Sequence, residues 1–255
     1  LTEPEQKEIY RLARLAKDIE IAVEVAVTLT NQWLLKGRHT EIKTLCQEVL
    51  TLSQDYRILY NLAYAEQFLG GMKTAKTYIQ EAFKLCPRED EEKKALIIAF
   101  LASLLSMEGN LSATNYLCQE VEKMSNTKGK AEALGALAVL KGTEQDFEKA
   151  ESYIQQALDI HQRLENDMGI AQIFNYWAIV KTGQGLIDEA FSCYQQAIDQ
   201  FRSLGKLQEL ASTLLFVGGL HLLLEQVKES TSVYQEAINL VQKIGENVNK
   251  LQFLF

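Results

Sequence analysis

Small and bulky apolar residues recur along the chain at the spacing of one helical face. Three segments align without gaps and carry small, bulky and small residues at offsets 0, 4 and 7: Ala150/Ile154/Ala157, Ala190/Tyr194/Ala197 and Ser230/Tyr234/Ala237. Residues three and four positions apart lie on the same side of an α-helix. The pattern therefore predicts three helices with closely related packing faces.

The same pattern occurs earlier in the chain and defines a repeat. One further copy begins at Ala75, and looser copies begin at Ile42 and Thr114. The six copies start at residues 42, 75, 114, 150, 190 and 230, so their spacing is 33 to 40 residues. A period of this length accommodates two short helices and two turns, as in solenoid proteins.

A second amphipathic segment precedes each copy and ends in a turn. In the clearest cases a small residue lies twelve positions before the small residue that opens the next helix, as Ala178 precedes Ala190 and Gly218 precedes Ser230. Antiparallel helices approach closely only where the facing side chains are small. We therefore expect antiparallel helix pairs that touch at these positions.

This pattern resembles the tetratricopeptide repeat, which has bulky, Leu and Gly/Ala positions on its first helix and Ala, aromatic and Ala positions on its second. Pro87 occupies the family's proline position. Ile42 and Thr114 replace a preferred Ala, and Thr30 replaces a small apolar residue. The resemblance implies an all-α fold, a right-handed superhelical solenoid of antiparallel helix pairs with about six repeats and a half-repeat at each end.

The resemblance also implies that residues 1–255 form a single repeat domain. Its predicted parts are a half-repeat at 4–18, repeats at about 19–54, 55–90, 94–127, 130–166, 169–206 and 209–245, and a partial helix at 246–255. Half-repeats at both ends suggest a fragment of a longer chain. The 40-residue repeats resemble those of bacterial signal-sensing proteins, including quorum-peptide receptors and the sensor arms of STAND-type signalling ATPases.

Composition narrows the classes of function. The formal net charge of −8 disfavours binding to nucleic acid or to an anionic membrane surface, because both require basic protein surface. The most apolar run, over residues 95–107, is too short to cross a bilayer, which takes about 20 residues. The four cysteines have neither CxxC pairing nor histidines at metal-ligand spacing, so we expect a reduced, cytoplasmic protein without a metal.

The titratable and nucleophilic residues do not form a recognisable catalytic pattern. His39, His161 and His221 fall in three different repeats, and the glycine pairs near residues 70 and 184 belong to neither a P-loop nor a dinucleotide-binding motif. Cys46 and Cys118 occupy core positions, where a thiol behaves as a small apolar group. We therefore expect no enzymatic activity and no cofactor within these residues.

The remaining candidate is the inner face of the solenoid, which the first helix of each pair would line. The resemblance places there a set of amide and aromatic side chains suited to gripping a peptide backbone and its apolar side chains: Asn31, Arg57, Tyr60, Asn61, Tyr64, Gln67, Phe100, Ser103, Gln172, Asn175, Tyr176, Ile179 and Phe216. The alternative is that several of these aromatics pack between neighbouring repeats.

One specific ligand is disfavoured. The carboxylate clamp of co-chaperone repeats has cations at positions that correspond here to Val27, Leu96 and Phe100. A buried carboxylate without a cationic partner is costly, so a receptor for chaperone C-terminal tails is not expected.

Three hypotheses follow from the sequence. The first is a non-catalytic module that binds a protein or peptide, as the sensing or scaffold part of a larger bacterial-type signalling protein. The second is a structural assembly arm that self-associates through its apolar end, at Leu251, Phe253, Leu254 and Phe255. The third is the regulatory domain of an enzyme whose catalytic part lies elsewhere.

Overall fold

Helices make up all regular secondary structure in the described part of the chain, which confirms the predicted all-α class. The computed structural model describes residues 1–105, 111–125 and 127–252, with side chains for all of these except 35, 111–114 and 244–252. The helices described there are α1 (Glu3–Ala16), α2 (Ile19–Leu35), α3 (His39–Leu50), α4 (Tyr56–Phe68), α5 (Met72–Leu85), α6 (Glu91–Leu105), α7 (Leu111–Glu122), α8 (Lys128–Thr143), α9 (Phe147–Arg163), α10 (Asp167–Gly183), α11 (Ile187–Ser203), α12 (Leu207–Leu223) and α13 (Val227–Gln252). None of them is long and apolar enough to cross a membrane.

The helices are distributed over two compact units, Leu1–Leu104 and Leu105–Phe255. We name the even-numbered helices A and the odd-numbered helices B. In the pairs α4/α5, α8/α9, α10/α11 and α12/α13, each A helix makes its most extensive contact with the B helix that follows it. The core of each unit thus lies mainly within and between such pairs.

The last helix differs from its prediction. The sequence predicts a new helix over residues 246–255, but α13 continues without a break from Val227 to Gln252. Gly245 has the lowest helix propensity of this stretch, and one glycine in a helix costs only about 1 kcal/mol. Phe253, Leu254 and Phe255 lie outside the described residues, as does the side chain of Leu251.

Polar caps and left-handed turns fix where the helices begin and end. The Asp55 carboxylate accepts the backbone N–H groups of Arg57 and Ile58, and the Asn166 side chain accepts that of Gly169. After α4 and α10 the chain turns through Gly70 and Gly185, with φ of 84° and 76°. Glycine adopts this conformation without the steric penalty of a Cβ atom, so the A–B turns can be tight.

The predicted close approach is present in the last three pairs. Ala138 and Ala150, like Ala178 and Ala190, are completely buried where their helices meet. In the last pair the ring of Tyr234 lies so near Gly218 that an added Cβ atom would come within 2.6 Å of it. These small residues determine how closely A and B pack.

Charged residues near the ends of A helices connect successive pairs. The Glu66 carboxylate lies 3.0 Å from Lys43 Nζ of α3, and Lys181 Nζ lies 2.8 Å from a Glu151 oxygen of α9. Lys141, 40 residues before Lys181, is 4% exposed and donates to an acceptor on α7 at 3.0 Å. Each buried charge therefore has a partner on the preceding B helix, as burial requires.

His161 is a fully buried member of the second unit's core. Its Nδ1 lies 3.1 Å from the Asn166 amide nitrogen, and its Nε2 has no hydrogen-bond partner among the described residues. Burial, together with nearby Lys128, lowers the pKa of His161 to about 4. The imidazole is therefore neutral in the folded protein at pH 7.

We expect Gly218→Ala to destabilise the protein by about 1–3 kcal/mol, because the new methyl group overlaps the Tyr234 ring. Urea denaturation followed by circular dichroism measures this change. The matched control is Gly142→Ala, whose Cβ would lie 3.5 Å from Val180 in ordinary contact, and which should leave stability unchanged or raise it by up to about 1 kcal/mol. Equal effects of the two substitutions would contradict the close-approach interpretation.

We expect the free energy of unfolding to fall as the pH is lowered from about 6.5 to about 4. An unfolded histidine binds a proton near pH 6.5, whereas buried His161 remains neutral down to about pH 4. Neutral His161 therefore contributes its full share to the free energy of unfolding above pH 6.5. By pH 4 the free energy of unfolding has fallen by an amount that approaches about 3 kcal/mol.

Denaturation at a series of pH values measures this slope. The control is His161→Phe, since Phe201 occupies the corresponding position 40 residues later and is also fully buried. An unchanged pH slope in that variant would exclude His161 as its source.

Candidate ligand-binding surfaces

In the first unit, three of the predicted residues form one aromatic cluster between α4 and α6. The Phe100 ring lies 6.1 Å from that of Tyr60 and 5.9 Å from that of Tyr64, in edge-to-face geometry. Phe100 is 8% exposed, whereas both tyrosines are half-buried. The cluster thus joins two A helices and also presents part of two tyrosine rings to solvent.

The cluster extends through residues that the sequence reasoning missed. Phe68 lies 5.1 Å from Tyr64, and the His39 ring stacks on Phe68 at 4.4 Å. On the other side, Lys93 Nζ lies 4.1 Å from the centre of the Tyr60 ring. Phe68 follows Tyr64 by one helical turn, a signal that could have revealed it, but His39 and Lys93 come from other helices.

Asn61 connects α4 to α2 and does not face solvent. It is completely buried, and its amide donates to the Thr30 hydroxyl at 2.8 Å and to the Asn31 side-chain oxygen at 2.9 Å. Asn31 itself is exposed. Asn61 therefore stabilises the junction between successive pairs, and only Asn31 of these two predicted residues is accessible.

The other predicted residues of the first unit are peripheral to the aromatic cluster. The positive charge of Arg57 is already balanced by two carboxylates. Its guanidinium lies 2.9 Å from Asp55 and 2.7 Å from Glu24, and these partners raise the pKa of Arg57. Gln67 is half-buried. Ser103 is exposed and donates to a backbone carbonyl one turn earlier on α6.

In the second unit, three predicted residues belong to the junctions between A helices. Asn175 is 4% exposed and donates to the Thr213 hydroxyl of α12 at 2.8 Å. Tyr176 packs on Gly135 of α8 so closely that a Cβ atom there would meet its ring at 2.4 Å. Burial raises the pKa of Tyr176 to about 12, and half-buried Gln172 hydrogen-bonds to it.

The last two predicted residues, Ile179 and Phe216, line the same cavity between α10 and α12. We call it the α10–α12 cavity; its volume is about 340 Å³, and its lining is Ile179, Thr182, Tyr194, Leu215, Phe216, Gly219, Leu220 and Leu223. Phe216 is 49% exposed and Leu223 is 71% exposed. An apolar cavity bordered by accessible apolar side chains can hold an apolar group from a ligand.

Substitutions within the repeat account for this cavity. Tyr176 and Gly135 let α10 pack closely along α8, whereas α10 and α12 approach much less closely. In addition, Gly219 stands on α12 where Ile179 stands on α10, 40 residues earlier, and a missing side chain leaves space. The sequence shows that Gly219 is small, but it does not show the distance between α10 and α12.

Tyr194 forms the inner wall of the α10–α12 cavity. It is 3% exposed, its ring is nearly parallel to that of Phe216 at 6.5 Å, and its hydroxyl hydrogen-bonds with Thr182. Burial raises the pKa of Tyr194 to about 12, so the hydroxyl is protonated at pH 7. The wall is therefore uncharged and largely aromatic.

The described residues contain little that suggests metal or thiol chemistry. No group of three or more His, Cys, Asp or Glu side chains is close enough there to hold a metal ion. All four cysteines are buried, and burial raises the pKa of Cys46 to about 12 and that of Cys86 to about 11. These two thiols are therefore protonated, whereas a nucleophile or a metal ligand requires the thiolate.

Sequence comparison agrees with the repeated geometry. Two tetratricopeptide repeat models match the chain, one over residues 169–243 and the other over residues 56–89 and 131–162, and together they cover more than half of it. The chain belongs to the tetratricopeptide repeat family. No curated protein matches the sequence.

Two solved structures align with this chain, and one of them supports the helical-repeat fold. The structure of a Rap protein complexed with Competence and Sporulation Factor aligns with a TM-score of 0.64 and 16% identity, over 95% of this chain and 76% of that one. BtubC (BKLC) from P. vanneervenii aligns with a TM-score of 0.42 and 19% identity, over 98% of this chain and 89% of that one. At 16% identity the similarity to Rap establishes the fold alone.

We expect Asn61→Ala to destabilise the tetratricopeptide array by about 1–3 kcal/mol, because it removes two buried hydrogen bonds between α2 and α4. Thermal unfolding and urea denaturation measure the loss. Asn31→Ala is the control, since Asn31 is exposed and its removal leaves the Asn61–Thr30 bond in place; its effect should be smaller. An Asn61→Ala variant as stable as the parent would contradict the structural role.

Proposed function

We propose that this chain is a non-catalytic, cytoplasmic module that binds a protein or peptide through the A-helix face of its repeats. It serves as the ligand-sensing or scaffold part of a larger bacterial-type signalling protein. The observation that carries the proposal is the α10–α12 cavity with the exposed apolar side chains Leu215, Phe216 and Leu223 around it. Such a surface suits an apolar side chain projecting from an extended or helical peptide.

Other predicted residues on the A helices, taken within each unit separately, support the same ligand chemistry. The half-buried side chains of Tyr60 and Tyr64 offer apolar ring faces, and tyrosine is common in protein interfaces. Asn31, Gln67 and Gln172 are at least partly accessible, and their amides can pair with the N–H and C=O groups of a peptide backbone. The Rap protein of similar fold was solved in complex with Competence and Sporulation Factor, which is a precedent for a ligand on this fold.

The test uses peptides selected from a random display library on the purified chain and then labelled for fluorescence polarisation. Gly219→Ile should weaken or abolish binding, because it places in the α10–α12 cavity the side chain that Ile179 supplies 40 residues earlier. Phe216→Ser should have the same effect by removing an exposed ring of the lining. The control is Gln156→Ala, at an exposed position on α9.

The affinities of these variants distinguish the α10–α12 cavity from the aromatic cluster of the first unit as the peptide site. Loss of peptide binding in both cavity variants, with circular dichroism and thermal unfolding unchanged, supports the proposal. Full affinity in both variants contradicts the cavity as the ligand site. If affinity falls instead in Tyr60→Ala and Tyr64→Ala, the peptide binds the aromatic cluster of the first unit.

A second function, assembly through an exposed helix face, is favoured by one observation on α13. Ile238 and Val241 are 48% and 57% exposed, whereas their counterparts on α11, Ile198 and Phe201, are 6% and 0% exposed. Among the described residues, the α13 face therefore has the residues of a packing surface without the cover that α11 has. A second copy of the chain could supply that cover.

Sedimentation velocity over a range of protein concentrations tests assembly. If it occurs, the average mass rises with concentration, and Ile238→Ser with Val241→Ser reverses this without loss of helicity. Monomeric behaviour at every concentration would exclude self-association through this face.

A further inference from the structure

A second cavity lies in the same unit, on the side of α12 that faces the B helices. Its volume is about 500 Å³, and residues from α11, α12 and α13 line it. Its apolar floor includes Ile198, Leu214, Val217 and Val233. We call it the α11–α13 cavity, and its volume falls within the range of small-molecule sites.

The preceding repeat has bulkier residues at the equivalent positions. Forty residues before Leu214 and Val217 stand Phe174 and Trp177, whose rings stack at 6.2 Å and 15°. Both rings are half-buried and pack against the core of the unit. Where the α10 surface has a benzyl ring and an indole, α12 has two smaller aliphatic groups.

A polar contact is also replaced at this junction. Lys181 Nζ lies 5.8 Å from the Trp177 ring and bonds to Glu151 at 2.8 Å, which closes the preceding junction. The corresponding residues are His221 and Phe191, whose rings meet at 4.7 Å and border the cavity. The Lys181–Glu151 ion pair beside the Trp177 indole thus corresponds, one repeat later, to two rings that border the cavity.

We propose that the α11–α13 cavity is a binding site for a small molecule that carries a planar, bicyclic aromatic ring of indole size. The chain itself indicates this chemistry, because an indole with an adjacent benzyl ring stands at the equivalent positions one repeat earlier. The ring would contact the aliphatic floor, and its edge would meet Phe191 and His221, since aromatic groups favour offset and edge-to-face contacts. Gln195 at the rim offers an acceptor for a ring N–H.

This site is separate from the proposed peptide surface. Leu215 and Phe216 point to the α10–α12 cavity, whereas Leu214 and Val217 line the α11–α13 cavity. Tyr194 lines both, so substitutions of Tyr194 would not distinguish them. The outcome of the peptide experiment therefore does not decide this proposal.

The test titrates indole into the 15N-labelled chain and follows amide chemical shifts. Saturable shifts confined to α11, α12 and α13 near Phe191, Val217 and Val233 are expected. Val217→Trp should abolish them, because it supplies the indole that Trp177 provides one repeat earlier, and it should leave the protein folded. Gln156→Ala, at an exposed position on α9 that lines neither cavity, is the control and should leave indole binding unchanged.

A second variant guards against misfolding of Val217→Trp. The double change Phe191→Glu with His221→Lys restores the residue pair of the preceding junction and should also abolish the shifts. Absence of saturable shifts in the parent chain, or shifts that are unchanged in both Val217→Trp and the double variant, would overturn the proposal.

Discussion

The close approach of helices A and B at paired small residues is the contact on which the rest of the structure depends. Ala138/Ala150 and Ala178/Ala190 are fully buried, and in the last pair the Ser230 hydroxyl donates to the Gly218 carbonyl at 2.9 Å. A larger side chain at such a contact would separate the helices and displace every residue that packs around it. The repeat can therefore vary elsewhere, provided that this contact is kept.

The residues that vary between repeats include those at the junctions between successive helix pairs. Gly135 lets Tyr176 bring α10 against α8, whereas 40 residues later the larger Asn175 occupies the position of Gly135 on α10 and bonds to Thr213 of α12. The chain cannot form the same contact there, and α10 and α12 remain further apart. Both cavities of the second unit occur at this junction, because differences between repeats and not their common pattern create unfilled space.

The sequence predicted the features that depend on local period. Helix pairing and the small residues of the A–B contact follow from spacing alone, since residues three, four and seven apart must share a helical face. The resemblance to the tetratricopeptide repeat, and not spacing alone, placed Tyr60, Tyr64 and Phe100 on one predicted face, and their rings lie together in the structure. The end of α13 was not, because a single glycine is too weak a signal to end a helix.

Sequence could not decide which polar residues of the A helices face solvent. Asn61 and Asn175 occupy positions predicted to face a ligand, yet their amides donate to Thr30 and Thr213 on neighbouring A helices. Exposure of these positions depends on how far one pair is rotated and shifted against the next, which is set by side chains 30 to 40 residues away. Residues that depart from the chain's own repeat, such as Gly219 after Ile179 and Val217 after Trp177, are therefore better guides to binding sites here than residue type alone. At such positions a smaller side chain leaves a packing contact of the preceding repeat unmade. A ligand group can fill the space and make that contact instead.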